Sequence, residues 1–211
     1  MQNTKEILAL LKRHYPAIRY YLDFKNPLNL LVGAILSAQA RDEVVNATML
    51  ELSKKYKTAD DYANASLKKL TRDFSHINFA GTKAKHVKEA CRILVKSYNG
   101  KVPDTKEELV KLPGIGKKTA NVILINAFNK IVGIPVDTHV QRLSCRLGWT
   151  KQNNPDKTEQ DLLKIIPKDD WKEFPWLLKS HGKAICKAPE PYCSRCFLSK
   201  LCPKKGVKKQ L

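Results

Sequence analysis

Four of the chain's six cysteines cluster as Cys186, Cys193, Cys196 and Cys202, a C-x6-C-x2-C-x5-C pattern. Thiolates from so short a segment can surround one centre, and their chemistry admits tetrahedral zinc or an iron–sulfur cluster. Cys91 and Cys145 lie in apolar helical patterns and are expected in the core. A second stretch with chemistry in it is Leu112-Pro113-Gly114-Ile115-Gly116-Lys117-Lys118. Glycines at this spacing let the backbone turn tightly and approach a ligand closely. The turn leads into a predicted helix, whose first amides and dipole attract an anion. With lysines beside it, the hairpin reads as a phosphate clamp that is blind to base sequence. It is not the G-x-x-x-x-G-K-[ST] loop, and no strand precedes it. Asp137, in Asp137-Thr138-His139, stands where another helix should begin, so it suits an N-cap.

These residues need elements to hold them, and the elements are predicted to be helices almost throughout. Asn3 and Glu6 suggest a capping box for a first amphipathic helix that ends near Pro16. Asn26-Pro27 opens a helix that is apolar nearly all round, LNLLVGAILSAQ, and is therefore expected to be central and buried. Further helices are expected around Val44–Lys55, Ala59–Ala63, Ser66–Arg72 and Lys83–Ser97, with Asn99-Gly100 as a stop. Asp104 and Glu107 suit the cap of a short helix ending at Lys111. Helices over Lys117–Phe128, Thr138–Leu147, Asn154–Ile166 and Trp176–Ile185 complete the pattern. Short connections between many helices predict an all-α protein, with its best internal boundary at Gly133–Pro135.

Charge narrows the partner. The 211 residues hold 39 Lys and Arg against 20 Asp and Glu, a formal net charge of +19. Such an excess repels itself in a compact chain, so a polyanion is the expected partner, and nucleic acid comes first. The N-terminal stretch lacks the apolar core of a signal peptide, and Leu28–Leu36 is too short to cross a bilayer. A soluble protein of the cytoplasm and nucleoid is therefore expected, with no membrane partner.

The stretches LPGIGKKTANVILINAF, PVDTHVQRL and LLVGAILSAQARD, together with the cysteine pattern, closely resemble the endonuclease III family of helix-hairpin-helix DNA glycosylases and AP lyases. The resemblance runs from about Leu8 to Pro203 with its elements in order. It implies two helical lobes flanking a DNA-binding cleft: a six-helix barrel over 23–133 containing the hairpin 112–120, and an iron–sulfur cluster lobe from 1–22 with 134–211. It also implies that the four cysteines hold a [4Fe–4S] cluster, which would organise a segment with little core of its own.

The site residues follow from the same resemblance. Lys118 matches the catalytic lysine, whose neutral amine attacks C1′ of the damaged nucleotide and displaces the base. Asp137 matches the catalytic aspartate, which supports positive charge developing on the sugar. Gly114, Gly116, Lys117, Thr119 and His139 are expected to meet DNA, His139 also having a structural reading. A base must be flipped out before attack, and Gln39 matches the residue that fills the void. Phe79 aligns with the apolar wedge that opens a base step, although it could equally be core. Asp42 matches an acid near the pocket, or else a surface ion-pair partner.

Two departures from the family pattern stand out. The loop Lys187–Tyr192 carries one base and one acid where relatives tend to be basic, and Ala80 stands where many carry Tyr or Trp. The expected activity is excision of oxidised pyrimidines from double-stranded DNA, followed by β-elimination at the abasic site, by a monomer. The alternatives are a monofunctional or mismatch-specific (uracil or thymine) glycosylase on the same fold, and a non-catalytic DNA-binding module.

Overall fold

The computed structural model describes residues 3–18 and 20–211; Met1, Gln2 and Arg19 lie outside the described residues. The helices are α1 (Thr4–His14), α2 (Pro27–Leu36), α3 (Asp42–Lys55), α4 (Ala59–Asn64), α5 (Leu67–Asp73) and α6 (Ala80–Tyr98). There follow α7 (Lys106–Leu109), α8 (Lys117–Phe128), α9 (Thr138–Arg146), α10 (Pro155–Ile165) and α11 (Phe174–Ala184). Short 3-10 turns occur at Lys168–Asp170 and Cys193–Arg195, and no strand occurs among the described residues. The chain divides into two compact units, Tyr20–Lys130 and Met1–Arg19 with Ile131–Leu211.

In the unit Tyr20–Lys130, α2 is the centre. The Asn26 side chain accepts from the Asn29 amide, Pro27 occupies the first turn, and every residue from Leu28 to Leu36 is buried. A helix apolar on all sides needs neighbours on all sides, and α2 packs against α3, α6 and α8. At roughly 1.5–3 kcal/mol per fully buried aliphatic side chain, this burial outweighs any single cap in the unit. The capping box predicted at Asn3 and Glu6 is absent, since the Asn3 side chain makes no cap bond. A capping box does occur at Thr58 and Asp61, at the start of α4. The short helix α7 begins after Thr105 rather than Asp104, and Thr105 Oγ1 donates to Glu108.

The second unit has a smaller core, in which Ile7, Leu8 and Leu11 of α1 join Val140, Leu143, Leu162, Phe174, Leu177 and Leu178. Its helix α9 packs on α11 at close range. A Cβ placed on Gly182 would lie 2.7 Å from His139 Nδ1, so only glycine lets the two helices come this near. Cys91 is fully buried, as expected; Cys145 is only half-buried, at the edge of α9, with its thiol beside the Gln152 carbonyl. Among the described residues no helix is long and apolar enough to cross a membrane.

Candidate active site

The hairpin is built by three buried apolar residues, Leu112, Ile115 and Ala120, which fix its two sides. The Ile115 amide donates to the Leu112 carbonyl, closing the turn. Gly114 sits at φ +83°, and a Cβ there would press on His86 and Ile35 at 3.2 Å, so both its conformation and its surroundings require glycine. Gly116 is the N-cap of α8 and supplies no side-chain cap to the first turn. A Cβ at Gly116 would meet nothing within 4 Å, so here the glycine leaves open space in front of the helix start. That first turn carries no acid. It presents Lys117 exposed and Lys118 and Thr119 half-buried. Partial positive charge at the helix start and two lysines make this an anion-seeking surface.

Asp137 caps α9. Its Oδ1 accepts from the His139 and Val140 amides, both at 2.8 Å, which fixes the carboxylate and leaves Oδ2 outside the cap. The N-cap reading therefore holds, and it is compatible with a chemical role for the second oxygen. His139 is half-buried against α11, and its Nδ1 lies 3.1 Å from an Arg142 guanidinium nitrogen. Arginine can only donate, so Nδ1 accepts and the ring proton sits on Nε2. Burial lowers the pKa of His139, and Arg142 beside it acts in the same direction.

Two turns of the unit Tyr20–Lys130 carry Gln39 and Phe79. Both residues are non-glycine residues in the left-handed region, at φ +53° and +59°, a conformation that costs about 1–2 kcal/mol each. Gln39 is exposed, beyond the end of α2 rather than on it. Phe79 is 65% exposed, which rules out the core reading. It is also the N-cap of α6, which begins at Ala80, three residues earlier than the expected Lys83. Asp42 is half-buried in the first turn of α3. It lies near Tyr20, whose phenol is pushed up by burial, by Tyr21 and by Asp42.

All four clustered cysteines line one cavity, whose other walls include Leu143, Leu147, Ile185 and Leu198. Among the described residues no three or more His, Cys, Asp or Glu side chains are placed to hold a metal ion. Nitrogen donors surround the sulfurs. An Arg146 guanidinium nitrogen lies 3.3 Å from Cys186 Sγ, the Lys204 amide 3.4 Å from Cys202 Sγ, and His181 Nε2 3.5 Å from Cys196 Sγ. Groups of this kind orient metal-bound thiolates and offset their charge.

Sequence reasoning missed these supporting residues. Arg146 is 8% exposed and donates to the carbonyls of Cys186, Lys187 and Pro189, holding the loop between the first two cysteines from within. Tyr15 Oη lies 3.1 Å from His181 Nδ1. Burial raises the Tyr15 phenol and pushes His181 down to about 4, so both partners of this contact are neutral. The available signal was a charged residue on an apolar stripe: Arg146 follows Val140 and Leu143 around the buried face of α9.

Residues 32–168 match the family described as HhH-GPD superfamily base excision DNA repair protein. The chain is 44% identical to endonuclease III of Synechocystis over 96% of its own length and 92% of the relative's. The chain belongs to the endonuclease III family. It is also 37% identical to endonuclease III of Bacillus subtilis, over the full length of both chains. Its fold superposes with a TM-score of 0.91, at 38% identity, on a trapped endonuclease III–DNA covalent intermediate in an estranged-adenine complex, covering 96% of this chain and 95% of that one. The all-α helix-hairpin-helix fold expected from the sequence is therefore the fold of this family, and the protein is a base-excision DNA repair enzyme.

Proposed function

We propose that the chain is a bifunctional N-glycosylase and abasic-site lyase acting on oxidised pyrimidines in double-stranded DNA, with Lys118 as its nucleophile. The observation that carries this reading is the half-buried Lys118 in the uncapped first turn of α8, in a chain 38% identical to one trapped covalently on DNA. The neutral amine forms a bond to C1′ while the C1′–N bond to the base breaks, and the base leaves with the electron pair and a proton. The nitrogen lone pair then opens the sugar by breaking C1′–O4′, with O4′ taking a proton; the resulting protonated Schiff base acidifies the C2′ hydrogens, and loss of one of them expels the 3′ phosphate.

Asp137 supports the positive charge that builds on the sugar, using the oxygen its helix cap leaves over. The hairpin amides around Gly114 and Gly116, with Lys117 and Thr119, clamp phosphate, and His139 adds a further DNA contact. Gln39 and Phe79 enter the duplex where the base has left, and Asp42 borders the base pocket. Cys186, Cys193, Cys196 and Cys202 hold a [4Fe–4S] cluster. When bound, it supplies four iron–thiolate bonds that tie the segment after α11 to its cavity. The protein acts as a monomer inside the cell.

The test is a duplex with one thymine glycol, scored separately for free base and for strand breaks. The proposal expects both products from one enzyme, and strand breaks to vanish in Lys118→Gln. Free base without strand breaks would make the enzyme monofunctional, and DNA binding without either product would reduce it to a binding module.

A further inference from the structure

Lys83 is a lysine where an apolar residue belongs. It lies on the stripe of α6 that continues through Val87, Ala90, Cys91 and Leu94, and it is 5% exposed. Among the described residues no carboxylate pairs with it; its Nζ donates instead to the carbonyls of Leu36 at 2.7 Å and Ala38 at 2.6 Å. Burial lowers its pKa, which is the cost of keeping a cation in such a place. The two carbonyls belong to the end of α2 and to the turn that presents Gln39. Its own amide donates to the carbonyl of Phe79 at 3.0 Å. One residue before Phe79, the exposed Asn78 side chain donates to the carbonyl of Gln39 at 2.9 Å. The two left-handed residues are thus bonded to each other's supports.

We propose that Lys83 and Asn78 are positioning residues that clamp the Gln39 turn to the Phe79 turn, so that both side chains enter a duplex as one preformed wedge. The proposal rests on the reading of Gln39 and Phe79 given above. Left-handed backbone at two exposed non-glycine residues persists only when its surroundings fix it, and these bonds fix it. A preformed wedge spares the enzyme from ordering two loops while it unstacks a base, so its value lies in the extrusion step. A lysine that merely capped α2 would affect every substrate alike.

The test compares single-turnover cleavage of thymine glycol opposite adenine in a duplex with the same lesion in an unpaired bulge, where little unstacking is needed. Because a displacement of about 1 Å can cost on the order of a hundredfold in rate, Lys83→Met is expected to lose at least about tenfold more on the paired lesion than on the bulged one. Lys83→Arg restores most of the paired-lesion rate, and Asn78→Ala loses in the same direction by a smaller factor. Equal losses on both substrates in Lys83→Met and Asn78→Ala would overturn the clamp. If Lys83→Met fails to fold, the exposed Asn78→Ala carries the test alone. Gln39→Ala and Phe79→Ala separate the two levels of the argument. Should neither show the paired-lesion loss, the wedge reading falls and takes the clamp with it; should they show it while Lys83→Met and Asn78→Ala do not, only the clamp falls.

Discussion

The two units of this chain keep their order by different means. Tyr20–Lys130 is held by burial: α2 is inside on every face, and one continuous cluster runs from Leu22 to Leu124. In the other unit α1, α9, α10 and α11 share a modest core, but the segment after α11 has almost none. Among the described residues after Ile185, only Pro191, Cys193 and Leu198 are buried. That segment is held by polar bonds from Arg146 and Arg142, and the proposed cluster would add bonds from the four cysteines that line one cavity. The lesson is that a short segment too poor in apolar surface to pack by itself can still be ordered if a metal centre supplies bonds that burial cannot.

The largest effect should come from breaking the metal side of this contrast. Cys193→Ser is expected to lose iron and its absorption near 400 nm, and amide exchange should accelerate strongly over residues 186–211. Exchange in α2 and α8 should stay slow, and fast exchange there as well would show that the two units do not keep separate supports. Next comes the opposite cut. Leu31→Ala removes a fully buried side chain from the centre of α2 and is expected to cost about 2–5 kcal/mol in denaturant unfolding while iron content per folded molecule holds. Loss of iron in that variant would break the comparison.

The smallest effect sharpens it. Asp61 accepts the Thr58 and Lys57 amides, and these bonds hold its carboxyl below the usual range. A group with a lowered folded pKa stabilises the fold above its unfolded value, roughly 3.9, and that contribution is lost as pH falls through the folded value. Asp61→Ala should therefore cost about 1 kcal/mol at neutral pH, and the gap from the parent protein should close in acid. A gap that stayed constant down to pH 2 would mean that the carboxylate is not what the cap uses.

What the sequence could reveal follows the same division. Local features were legible: Asn26-Pro27 caps α2, Asn99-Gly100 ends α6, and the hairpin glycines turn where their spacing says they should. The helix start that carries Lys118 and the cap at Asp137 were legible because each is defined by its immediate neighbours. The clamp was not, because Lys83 bonds to Leu36 and Ala38, far back along the chain, and only the packing of α6 on α2 brings them together. Arg146 was hidden for the same reason: the carbonyls it serves, at Cys186, Lys187 and Pro189, lie two helices later. The capping box failed at Asn3 and succeeded at Thr58 because the motif states a capacity, which the backbone angles at the cap then grant or refuse. Phe79 shows the remaining gap. The sequence left the wedge and core readings of Phe79 both open, and only the exposure of the side chain in the fold excludes core.

The account turns on Lys118. Borohydride reduction during reaction with abasic-site DNA freezes the Schiff base as a stable amine, and peptide mapping of the adduct by mass spectrometry then names the residue. The adduct is predicted on Lys118 alone, and it should be absent from Lys118→Gln while that variant still binds the DNA. An adduct on another amine in the parent protein, or one that persists undiminished in Lys118→Gln, would contradict the assignment of the hairpin as the chemical centre.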